Sequence, residues 1–205
     1  MGYPFKVNEH VLIPRQDTET VVECALEKLA RGMEVLDLCT GSGCIAASLY
    51  LIGRKQGKIS PESRFDAADI SEEALETARE NCQTLGAQVR LIHSDLFESA
   101  GGPYDMIVSN PPYIRRDVIE ELQEEVRLHD PYIALDGHED GLYFYRRIAA
   151  GAGSHLKRGG WLILETGHDQ REDVSRLLEA AGFTCVQGKK DLAGLDRVVM
   201  GMYNK

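Results

Sequence analysis

The sequence lacks what a metal centre or a disulfide framework requires. Its five cysteines, Cys24, Cys39, Cys44, Cys82 and Cys185, contain no C-x-x-C pair, and its six histidines show no H-x-x-x-H spacing. An odd, scattered set of thiols fits neither an extracellular framework nor a zinc site, so no metal is expected. Cys24, Cys44 and Cys82 fall in helical patterns, where a buried thiol serves as a small hydrophobe. No apolar run approaches the roughly 20 residues that cross a bilayer, and the first residues have no signal-peptide pattern. The expectation is a cytoplasmic protein with no membrane partner. Basic residues are also scarce: 23 Lys and Arg against 33 Asp and Glu give a net charge of -10. Such a surface repels phosphate backbones and disfavours a general nucleic-acid binder, although a local basic patch would escape the argument.

What is present is ordinary in bulk and specific in pattern. A chain of 205 residues, 43% hydrophobic and 27% charged, is long enough for one domain with a sizeable core. From residue 33 strand-like and helix-like segments alternate. MEVLDL (33–38), RFDAAD (64–69), VRLIH (89–93), YDMIVS (104–109), WLILE (161–165) and DRVVMGMY (196–203) read as strands. Helices are expected over 17–31, 43–53, 71–86, 117–129, 139–157 and 169–181. Asp17 and Asp169 are expected as N-caps, with Gly86 and Gly182 as stop signals. Alternation of this kind implies right-handed crossovers and a parallel α/β sheet covered on both faces.

DLCTGSGCIA (37–46) lies where the first strand passes into a helix. Gly41 and Gly43 permit a tight turn and close approach of a ligand to the backbone. The stretch satisfies a G-x-G-x-x-A dinucleotide pattern, and Asp69 at the end of the second strand suits ribose hydroxyls. A nicotinamide cofactor and S-adenosylmethionine both present that ribose. Asp37 favours the second, because an acid suits an ammonium and a sulfonium and is unfavourable beside a pyrophosphate. Asp95 and Leu96, in the turn SDLF (94–97), are candidates for the adenine end.

The fourth strand delivers Asn110-Pro111-Pro112-Tyr113 at its carboxyl end, the edge where open α/β sheets bind ligands. Proline fixes its own φ and restrains the residue before it, so Asn110 and Pro111 are held extended. Prolines carry no N–H, which leaves the Asn110 side-chain oxygen and the Pro111 carbonyl as acceptors without competing donors. Two such acceptors suit a planar NH2 group, with Tyr113 expected as an aromatic wall beside it. A rigid turn closing a strand is the plainer reading of the same tetrapeptide.

These residues together resemble the bacterial protein-(glutamine-N5) methyltransferases that modify peptide chain release factors, the PrmC/HemK group. VLIPRQDTE (11–19), DLCTGSGCIA (37–46), SNPPYI (109–114), ALDGHEDGLYFYRRI (134–148) and LETGHDQ (164–170) match its pattern in order. The resemblance implies a Rossmann-like class I methyltransferase with a mostly parallel seven-stranded sheet. The implied cofactor is S-adenosylmethionine, touched by Cys39, Thr40, Gly41, Ser42 and Gly43, by Asp69, Leu96 and Asn110. The implied substrate is the glutamine of the Gly-Gly-Gln loop of class-1 release factors, held at residues 110–113. Cys39 stands where the family usually has glycine, Leu96 where some members have an aromatic residue, and His138 interrupts the usual Gly-Gly pair. The family's N-terminal helical domain has no counterpart here, so residues 1–205 are expected to form a single catalytic domain. Alternatives remain open: a ribosomal-protein glutamine, an exocyclic amine of DNA or RNA, a nicotinamide oxidoreductase, or a domain that binds cofactor without turnover. Arg15 and Glu165 have both functional and structural readings.

Overall fold

The computed structural model describes residues 1–204, apart from the side chains at 125 and 128. Its strands are β1 (Glu34–Leu38), β2 (Arg64–Asp69), β3 (Arg90–His93), β4 (Tyr104–Ser109), β5 (Leu156–Glu165), β6 (Phe183–Lys190) and β7 (Asp196–Tyr203). They form one seven-stranded sheet in the order β3-β2-β1-β4-β5-β7-β6. All neighbours are parallel except that β7 runs antiparallel to β5 and β6.

Period-two alternation along the central strands divides the core. Val35, Met106, Val108, Ile163 and Met200 face one apolar layer, whereas Leu36, Ile107, Leu162, Leu164 and Val199 face the other. The first layer is covered by α1 (Glu19–Lys28), α2 (Cys44–Lys55) and α3 (Glu72–Leu85). Between β4 and the second covering come three short helices, α4 (Arg116–Ile119), α5 (Glu124–His129) and α6 (Tyr132–Leu135). The second layer is covered by α7 (Tyr143–His155) and α8 (Arg171–Ala180). Helix α3 shows local rules at work. The Ser71 hydroxyl accepts the Ala74 N–H at 3.0 Å, a cap that contributes roughly 1 kcal/mol, and Gly86 ends the helix at φ 71°.

Several expected boundaries move. The helix expected over 117–129 is α4 and α5, separate pieces. Glu120 stands four residues before Glu124, and like charges at that spacing oppose a continuous helix. The first helix is preceded by a 3-10 turn, Gln16–Thr18, with Thr18 in the N-cap position and no side-chain cap; Asp17 turns instead toward Arg197 at 3.2 Å. Gln170, not Asp169, is the N-cap residue of α8. The helix expected from 139 starts at Tyr143, because Gly141 at φ 72° belongs to a preceding loop. Strand β6 has no counterpart in the periodicity: it is an edge strand, mostly exposed, and shows no apolar alternation.

Candidate active site

Strand order reverses between β1 and β4, and a crevice opens at the carboxyl ends of strands at such a point. Leu38 pairs with Ser109 across these neighbours, and the Ser109 hydroxyl donates to the Leu38 carbonyl at 2.8 Å. The glycine-rich turn and the Asn-Pro-Pro-Tyr turn therefore leave the sheet side by side.

The glycine-rich turn is wound by left-handed residues. Cys39, Gly41 and Gly43 have φ of 56°, 51° and 78°. Cys39 thus occupies a conformation that glycine adopts more cheaply, by about 1–2 kcal/mol, which explains the glycine expected there. His138, at φ 69°, presents the same case. Gly43 also admits α3: a Cβ there would stand 3.1 Å from the Ala78 Cβ. The turn is braced by two carboxylates. Asp69 accepts the Gly41 N–H at 2.8 Å and the Ser71 N–H at 3.0 Å. Asp37 is fully buried, and its Oδ2 accepts the Thr40 hydroxyl at 2.7 Å and the Ala46 N–H at 3.1 Å.

The Asn-Pro-Pro-Tyr turn is held from behind. The Tyr113 carbonyl accepts from the Gln170 amide at 2.9 Å, and the same amide reaches the Gly141 carbonyl at 3.3 Å. Gln170 Oε1 accepts the Gly167 N–H at 3.0 Å. The 134–141 segment adds two backbone bonds, Ile114 N–H to Leu135 O at 3.0 Å and Gly137 N–H to Ile114 O at 2.8 Å. The Tyr113 hydroxyl points down to Glu165 Oε1 at 3.4 Å. No hydrogen bond among the described residues engages the Asn110 amide.

A cavity of about 330 Å³ lies between the two turns. Cys39, Thr40, Gly41 and Ser42 line it, as do Asp69, Asp95, Leu96, Asn110 and Pro112. Asp37, Gly43, Pro111 and Tyr113 do not. Asp37 lies beneath the turn because its side chain shares the face covered by α2, and it supports the turn rather than the wall. Pro111 is buried and lies outside the wall, whereas Asn110 is half-buried and lines it. Tyr113 is committed to Glu165, so it is an anchor; the aromatic wall is made by Tyr143, Phe144 and His138. His138 packs on Tyr143 with ring centroids 4.0 Å apart. Asp95 lines the cavity with both oxygens paired to Arg147, at 2.9 and 3.0 Å. The aromatic trio lay in plain view in GHEDGLYF (137–144), but only its packing against a segment distant in sequence places it here.

Glu165 is buried, its Oε2 without a partner among the described residues, and it is absent from the cavity wall. Burial pushes its carboxyl from an ordinary 4.5 up to about 7, against the opposing pull of Thr18, Arg197 and Tyr113. Burial likewise raises Asp37 from 3.8 to about 7, against Thr40 and Ala46. Between roughly pH 4.5 and pH 7 the folded chain therefore holds more protons than the unfolded one, and stability falls as pH rises across that window. Below it the contribution is fully present. The melting temperature is expected to decline over this range, and Glu165→Gln, which keeps an acceptor for Tyr113, should flatten the decline. An equal slope in the variant would remove Glu165 from this account.

The family model described as "Methyltransferase small domain" matches residues 16–129. The chain is 41% identical to the release factor glutamine methyltransferase of Clostridium acetobutylicum, over 98% of this chain and 71% of that protein. The solved protein-(glutamine-N5) methyltransferase (release factor-specific) of Alicyclobacillus acidocaldarius is 34% identical with a TM-score of 0.56, covering 98% of this chain and 100% of that one. A methyltransferase of Pyrococcus furiosus, 18% identical, superposes with a TM-score of 0.70 over 100% of this chain and 90% of that one, a likeness of fold. The sheet is the Rossmann-like sheet of class I methyltransferases, as the resemblance implied.

Proposed function

Because this chain belongs to the release factor glutamine methyltransferase family, we propose that it methylates N5 of the glutamine side chain in the Gly-Gly-Gln motif of class-1 peptide chain release factors. The observation that carries this reading is the Asn110 amide, facing a cavity beside the glycine-rich turn where β1 meets β4.

The residues present fit S-adenosylmethionine. Buried Asp37 braces the glycine-rich turn from beneath through Thr40 and Ala46, and so shapes the floor against which the cofactor would lie. Asp69, whose oxygens retain lone pairs beyond the two backbone N–H groups they accept, suits ribose hydroxyls. Ile70 and Leu96 supply apolar surface for a base. When bound, S-adenosylmethionine supplies an electrophilic methyl group on sulfur.

An amide nitrogen is a poor nucleophile because its lone pair is delocalised into the carbonyl. Asn110 accepts an N–H of the substrate amide, turns the nitrogen lone pair toward the methyl and stabilises the positive charge that grows on nitrogen. With S-adenosylmethionine held by the glycine-rich turn, Asp69 and Leu96, Asn110 would keep the substrate nitrogen in place for methyl transfer, and the surplus proton would afterwards pass to solvent. Pro111 and Pro112 hold the turn rigid, and Tyr113 fixes its far end through Glu165 and Gln170. No strong base is needed.

Incubation with methyl-labelled S-adenosylmethionine and a class-1 release factor should label a single glutamine, located by peptide mapping. Absence of transfer to that residue would overturn the assignment. Asp69→Ala is expected to weaken cofactor binding by roughly 10- to 100-fold, the scale of lost charge-assisted hydrogen bonds, with little change in kcat at saturating cofactor. Titration calorimetry measures the first quantity and a saturated turnover assay the second. A normal affinity would place the ribose elsewhere.

A further inference from the structure

The segment before α1 has no regular structure between residues 1 and 15: its N-terminus pairs with Glu19, Phe5 packs on the core, and beyond Phe5 it is fastened at two further points. At one end it is tied to α3. Asn81, 2% exposed, accepts the Lys6 N–H at 2.7 Å and donates to the Lys6 carbonyl at 3.0 Å. Asn8 donates to the Thr77 hydroxyl at 3.0 Å. The Asn81 amide also reaches the Ser42 carbonyl at 2.9 Å, so this anchor is shared with the glycine-rich turn.

At the other end the segment is tied to the turn between α5 and α6. Asp130 accepts the Ile13 N–H at 3.1 Å through one oxygen and the Arg15 guanidinium at 2.5 Å through the other. The Asp130 side chain is 0% exposed, whereas that of Arg15 is 44% exposed. Between the anchors, His10, Val11 and Leu12 form part of the cavity wall, and Pro14 continues it just beyond Ile13. From beyond Asp130, Ile133 and Ala134 also line the cavity. The segment is a strap that runs from the cofactor side of the cavity to the Asn-Pro-Pro-Tyr side, and one buried carboxylate fastens its Ile13–Arg15 end.

We infer that Asp130 is a positioning residue whose pairing with Arg15 holds this strap across the cavity and thereby sets how slowly bound cofactor leaves. The inference rests on the S-adenosylmethionine reading of the cavity and adds to it a kinetic gate. A buried acid paired with one exposed cation suits that role. Losing the cation leaves a desolvated charge, so the closed arrangement depends strongly on the pair. The pair is also the only fastening at that end that involves a charge on both partners, among the described residues.

The test uses the full chain and S-adenosylhomocysteine, displaced by excess S-adenosylmethionine in a stopped-flow instrument. Asp130→Asn and Arg15→Gln are each expected to raise the dissociation rate about tenfold, and Arg15→Lys, which keeps a cation, should recover most of the difference. The unaltered chain should also release ligand faster as salt rises, because salt screens a half-exposed pair, whereas Asp130→Asn should have lost most of that dependence. A merely structural role would lower the melting temperature without moving this salt slope. Should Asp130→Asn fail to fold, the surface substitution Arg15→Gln carries the same test. Unchanged dissociation rates in folded variants would overturn the latch. If the unaltered chain bound neither ligand, the cofactor reading would fall, and the latch with it.

Discussion

Replacing Asn110 with alanine is expected to slow methyl transfer by about 100- to 1000-fold, the cost of removing one preorganised group from a developing charge, about 2.7–4 kcal/mol. Cofactor affinity should change little, because the glycine-rich turn and Asp69 are braced independently of the Asn110 amide. The measurement is a single-turnover rate with labelled cofactor, set beside an equilibrium binding titration. Asn110→Ala and Asp69→Ala should separate cleanly, one in rate and the other in affinity. The opposite pattern would mean that the two turns exchange the roles given to them above.

Gly141→Ala should damage the enzyme nearly as severely from outside the cavity wall. A Cβ at Gly141 would stand 2.5 Å from the Tyr113 carbonyl oxygen and 2.6 Å from Gln170 Nε2, and the residue has φ 72°. Both the left-handed backbone and the hydrogen bond that holds the Asn-Pro-Pro-Tyr turn are lost together. A loss of roughly 3 kcal/mol is expected, which in a chain of this size lowers Tm by roughly 6–12 °C. Transfer should fall by at least tenfold at temperatures where the variant remains folded, because the Asn110 end of the turn shifts with Tyr113. Thermal melting and turnover below the transition measure the two effects. A variant that melted lower yet turned over normally would show that Gln170 and Gly141 stabilise the fold without setting the geometry of Asn110.

The strong local signals of the sequence were read correctly because they depend on neighbours along the chain. Gly86 ends α3, Asp69 ends β2, and Asn110 follows β4, each fixed by a backbone preference or by strand periodicity. The wrong boundaries share a different cause. Helix α7 begins four residues later than expected because Gly141 is needed for close approach to Tyr113, a contact between segments far apart in sequence. Strand β6 left no trace because an exposed edge strand has no buried face to impose alternation.

The same division applies to the site. By itself the sequence determined the alternating α/β order, the left-handed glycine turn, the acid at the end of β2 and the rigid Asn-Pro-Pro-Tyr bend, since each is a property of a few consecutive residues. Only the tertiary structure decided that Asp37 braces the turn from beneath, that Tyr113 is an anchor and that Tyr143, Phe144 and His138 form the aromatic wall. It also decided that Arg15 meets Asp130. The reason is geometric: whether a side chain faces a cavity or the core depends on which segments pack against it, and chain order carries no record of that packing.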